Sequence, residues 1–107
     1  MKHGKMNKNE YAGLSSVFNE DTLLKVLLVT PTKYVVLDNE PCALDAGLEF
    51  AGHFEEKLEY GKGLELDGHP SLKTLAIVAA VRTDQGRLIV TDNGGSIYLI
   101  EIVFHNS

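Results

Sequence analysis

Two short stretches carry residue types suited to acid–base or metal chemistry, His53-Phe-Glu-Glu56 and Asp67-Gly-His69. On a helix, His53 and Glu56 would share one face, the spacing with which helix bundles hold carboxylate-bridged metals. On a strand, Asp67 and His69 would also share a face. Together the four would make a two-histidine, two-carboxylate ligand set. Such a set needs distant parts of the chain to meet, and no spacing in the sequence requires that. The expectation is therefore exposed polar residues, with no metal and no cofactor.

Glu101 is the fifth candidate, because it interrupts the apolar run Ile97-Tyr-Leu-Ile-Glu-Ile-Val-Phe104. A buried carboxyl there would have a raised pKa, as a general acid or base requires. The plainer expectation is that Glu101 pairs with Arg82 or projects to solvent. His53, Glu56, Asp67, His69 and Glu101 are thus the polar groups of any small-ligand pocket.

Nucleophilic chemistry has less support. Cys42 follows a proline and lies among Asp38, Glu40 and Asp45, which disfavour a thiolate. Ser15 and Ser16 lack a Gly-x-Ser-x-Gly setting. Gly61-Lys-Gly63 lacks the spacing of a phosphate loop. No catalytic residue is assigned, and a non-enzymatic role is expected.

The chain has 107 residues and a net charge of -5, with ordinary globular composition. That length suits one domain, assigned to residues 11–107, preceded by a disordered basic tail over 1–10. One cysteine excludes a disulfide framework. No apolar run approaches the length of a membrane span, and a cytoplasmic setting is the default. Residues 38–67 hold nine carboxylates against Lys57 and Lys62. That segment repels nucleic acid, so none is expected as a partner. It is a solvated face or, as an alternative, the docking face of an acidic inhibitor or immunity-type protein for a basic partner.

The elements that would position these residues are clearest near the C-terminus. Three strands, 74–83, 87–91 and 96–104, form an antiparallel meander. Asp84-Gln-Gly86 suits a type I turn closed by a glycine at positive φ. Asn93-Gly94 suits a type I′ turn, with Asp92 opposite Gly95. That register sets Val81 opposite Ile89, Val90 opposite Ile97 and Leu88 opposite Leu99. Both faces of the meander are then apolar, so each needs a cover, from the chain or from another copy. Residues 101–104 overhang the short middle strand and need a backbone partner in water, an earlier segment or a second chain.

Asn19–Val29 is read as a helix, with Asn19 as N-cap and Thr30-Pro31 as stop. The competing reading is a strand from Leu23 to Thr30. Asn9–Phe18 offers a further helical turn. Tyr34–Leu37 is a strand on either reading, and Asp38-Asn-Glu-Pro41 a turn. Ala43–Tyr60 reads as a helix or as strands, with the period-two pattern stronger from Lys57 to Leu66. The expected fold class is α+β, a meander packed on one or two helices, with a small β-barrel as alternative. The expected role is a small binding or regulatory module that forms a homodimer through Ile97, Leu99, Glu101, Ile102, Val103 and Phe104.

Overall fold

A computed structural model of the chain describes residues 22–54, 60–68, 70–83 and 85–105. Eight strands follow in order: β1 (Thr22–Leu28), β2 (Thr32–Leu37), β3 (Glu40–Leu44), β4 (Glu49–Phe54), β5 (Gly63–Gly68), β6 (Leu72–Arg82), β7 (Leu88–Asp92) and β8 (Ile97–His105). The spatial order is β3-β2-β6-β5-β4-β1-β8-β7, and β7 pairs back onto β6. Six strands, β1 and β4 to β8, therefore close into an antiparallel barrel, and the β2–β3 hairpin hangs on its side. Closure depends on β6. Its first half pairs with β5 and its second half with β7.

No helix is present among the described residues, so the α+β class is corrected to the all-β barrel. The apolar sheet needs no helix to cover it, because it covers its own inner face by closing on itself. Nor is any helix there long and apolar enough to cross a membrane. The helix read over Asn19–Val29 is instead strand β1 from Thr22 onward, held between β4 and β8. Leu24, Val26 and Leu28 point inward and are buried, while Leu23, Lys25 and Leu27 point outward. Pairing on both edges overrides the helical preference of leucine. The helical reading of Ala43–Tyr60 fails likewise over its described part to Phe54, since β4 alternates exposed and buried residues.

The final strand differs in register. The first hairpin follows the expected pairing, with Val81 opposite Ile89 and Gly86 at φ 78°. In the second, Val90 faces Tyr98 and Leu88 faces Ile100, one residue from the expected pairing. The loop holds three residues, because the Asp92 N–H donates to the Ser96 carbonyl (3.0 Å) and only Gly95 takes a positive φ there. A slip of one residue exchanges the faces of a strand. Tyr98 and Ile100 consequently fill the core, and Ile97 and Leu99 face outward. A bulge between Ile77 and Ala79 likewise turns both Ile77 and Ala80 inward. The backbone of residues 101–104 finds its partner in β1, the earlier segment.

Asp38 (φ 49°) and Asn39 (φ 68°) form the two-residue turn between β2 and β3, as the left-handed tolerance of Asp and Asn permits. Such a turn makes Leu37 and Glu40 the first hydrogen-bonded pair, so the Pro41 nitrogen faces the open edge of β3. A proline there removes a donor and blunts the edge against another chain.

Candidate functional site

Of the polar residues singled out in the sequence, the three described ones, His53, Asp67 and Glu101, do not share one concavity. His53 on β4 and Asp67 on β5 are cross-strand partners, and both are exposed on the outside of the barrel. Glu101 lies on β8, two strands from β4, with its side chain about one-third exposed. Its carboxylate pairs with Arg87 at 3.2 Å rather than with Arg82. Glu56 and His69 lie outside the described residues, as do the basic tail over 1–10 and the turn at Asn9–Phe18. Among the described residues no group of three or more His, Cys, Asp or Glu is placed to hold a metal ion. Cys42 is half-buried on β3 and packs against the edge of the core. Two carboxylates of the acidic stretch are engaged by the chain's own lysines, Glu49 by Lys25 (3.8 Å) and Glu65 by Lys73 (3.4 Å).

The buried polar groups sit elsewhere, around the turn that follows β7. Asp92, Thr32 and Ser96 are buried, and Asp92 is only 1% exposed. Asp92 Oδ1 accepts from the Gly94 N–H (2.9 Å) and the Ser96 N–H (3.0 Å). Its Oδ2 accepts from the Tyr98 hydroxyl at 2.9 Å. Burial, followed by the hydrogen bond and the charge of Asp92, drives the Tyr98 hydroxyl far above its ordinary pKa, with Thr32 and Ser96 opposing in smaller measure. Both carboxylate oxygens are thus committed to the fold, and the cluster sets the register of the last hairpin. Sequence reasoning gave Asp92 only a place in the turn, opposite Gly95. The available signal was an aspartate two and four residues ahead of Gly94 and Ser96, the spacing of a side chain that caps its own turn.

A different feature stands out on the outside of β1 and β8. The two strands run antiparallel, and their outward residues meet in rungs. Lys25 faces Glu101 and Leu27 faces Leu99. Val29, whose N–H donates to the Ile97 carbonyl at 2.9 Å, makes a further rung with Ile97. At the opposite end Leu23 lies beside Val103, which falls where the register shifts. Six of these eight residues are apolar. Val29 is 46% exposed and Val103 56% exposed. Leu23, Leu27, Ile97 and Leu99 are half-buried. The outside of an antiparallel barrel in water would ordinarily alternate with polar residues.

Of the residues expected at an interface, Ile97, Leu99, Glu101 and Val103 belong to this face. Ile102 is instead opposite Leu24 and packs partly against the core. The side chain of Phe104 lies outside the description. The strand itself offers no free edge along Ile97–Ile100, since β1 pairs with it on one side and β7 on the other. A contact through this stretch must use side chains rather than added strand pairing. On the neighbouring strands β6 and β7, Ala79, Ala80, Val81, Ile89 and Thr91 line a shallow hollow of about 250 Å³ that continues from this face through the Ile89–Leu99 pair and offers no charged group to a ligand.

No family model, curated protein or solved structure matches the chain.

Proposed function

We propose that this protein is a non-catalytic binding module that acts as a homodimer, with the outer face of β1 and β8 as its contact surface. The observation that carries this reading is the run of Leu23, Leu27, Val29, Ile97, Leu99 and Val103 facing outward on two adjacent strands. Contiguous apolar surface of this kind marks interaction sites in soluble proteins. The inside of the barrel is filled by side chains such as Phe54, Tyr98 and Ile100. The described polar candidates lie on the outside, His53 and Asp67 paired on β4 and β5 and Glu101 apart on β8, which favours a surface function over a pocket.

Light scattering coupled to size exclusion tests the proposal. The wild-type protein is expected at twice the 11.7 kDa of one chain. Val29→Asp and Val103→Asp alter exposed side chains, so each should change stability by no more than about 0.5 kcal/mol. Each is expected to shift the protein to the monomer. A wild-type monomer at every accessible concentration, or variants that remain dimeric, would overturn the reading.

A further inference from the structure

The proposed face has one charged rung, and its chemistry selects a single way of joining two copies. Lys25 and Glu101 sit side by side in the midst of apolar rungs. In a two-fold interface the same patch meets itself, so every residue must tolerate its symmetry mate's surroundings. A two-fold axis lying across the strands, between the Lys25–Glu101 and Leu27–Leu99 rungs, would set both charges against leucines. Desolvation without a partner makes that arrangement unfavourable. An axis parallel to the strands, lying between β1 and β8, keeps each rung level and exchanges its two ends. Lys25 then faces the partner's Glu101, Glu101 faces the partner's Lys25, and Leu27 faces the partner's Leu99.

We infer that the occupant of the β1–β8 face is a second copy of this chain, related by a two-fold axis parallel to the strands and fixed by two reciprocal Lys25–Glu101 pairs. The inference rests on the homodimer reading above. Each chain already keeps these charges partly neutralised. Lys25 lies 3.8 Å from Glu49, and Glu101 lies 3.2 Å from Arg87. Both charges therefore already stand at the face in the single subunit. Charge complementarity here sets the orientation and excludes wrong registers, while the apolar rungs supply the contact area.

Charge exchange between copies tests this arrangement. Lys25→Glu gives a rung with two negative ends, and Glu101→Lys gives one with two positive ends. Each variant alone should lose at least roughly tenfold in dimer affinity, because like charges then face each other across the axis. An equimolar mixture of the two should recover a heterodimer, read by light scattering and by native mass spectrometry. The double variant Lys25→Glu, Glu101→Lys keeps an opposite-charge rung within each chain, so it remains informative if a single variant folds poorly. It should form a dimer with itself and fail to exchange subunits with the wild type.

A dimeric wild type whose single variants dimerise unchanged, or whose mixture stays monomeric, overturns the axis and leaves the homodimer standing. So does free exchange between the double variant and the wild type. A wild type that is monomeric throughout removes the homodimer itself, leaving another segment of the chain or a different protein as the occupant.

Discussion

Asp92→Ala is expected to destabilise the protein by about 3 kcal/mol or more, measured by urea unfolding. The substitution strips three donors of their acceptor at once, namely the Gly94 N–H, the Ser96 N–H and the Tyr98 hydroxyl. Tyr98 is 1% exposed, so water cannot readily replace the lost partner. Asp92→Asn should cost less than half as much, since its amide oxygen can still serve the two backbone donors. The same bond gives stability a signed dependence on pH. The folded state holds the Tyr98 hydroxyl protonated, well above its ordinary pKa. A group raised on folding stabilises fully below its unfolded pKa, about 10 for tyrosine, and that stability is lost as pH rises beyond it. Wild-type stability should therefore fall steeply above about pH 10, and the fall should be shallower in Tyr98→Phe. Equal alkaline slopes in the two proteins would contradict the assignment.

Gly52→Ala is expected to be as damaging, for a steric reason. Gly52 on β4 lies opposite Gly68 on β5, where the two backbones approach closely. A Cβ on Gly52 would run into the Asp67 carbonyl oxygen, and one on Gly68 would run into the Ala51 carbonyl oxygen. Neither obstacle is a flexible side chain, so the strands themselves must separate. Among the described residues three pairs join β4 to β5, and that seam is needed for closure of the barrel. The expected cost is about 3 kcal/mol or more, seen as a lowered midpoint in thermal unfolding followed by circular dichroism. Gly47→Ala is the control. Gly47 has open space around its Cβ position and a φ of 94°, so backbone strain alone applies, at about 1 kcal/mol. Similar losses at both positions would show that close approach is not what Gly52 provides.

The C-terminal strands were legible in the sequence because turn chemistry and β-branched runs agreed there. Asp84-Gln-Gly86 defined its hairpin through one residue with positive φ, and the structure places Gly86 at φ 78°. Asn93-Gly94 misled because local preference favoured a two-residue turn. The Asp92 side chain instead captures the Gly94 and Ser96 N–H groups and lengthens the loop. The consequence reached the functional reading, since Ile97 and Leu99 moved from facing Leu88 and Val90 to facing outward. Strand β1 was illegible for a related reason. With apolar residues on its inner and outer sides, Leu23–Leu28 shows no period of two, and its leucines favour helix locally. Its neighbours β4 and β8 are remote in sequence, and their pairing decides its conformation. The candidate polar site was read from residue types alone, and types do not specify convergence. His53 and Asp67 do meet across β4 and β5, whereas Glu101 is held on another face by Arg87. Excess outward hydrophobicity on β1 and β8 became visible only once the barrel assigned each residue a side.

Where on the molecule two copies meet is read most directly by a concentration series of two-dimensional amide NMR spectra. Raising the protein concentration should shift or broaden the signals of Leu23, Lys25, Leu27, Leu99, Glu101 and Val103 together, along one binding curve. Tyr34 and Ala43, both exposed on the hanging β2–β3 hairpin and apart from this face, should stay unchanged. Spectra independent of concentration, or changes centred on Tyr34 and Ala43, would contradict that assignment.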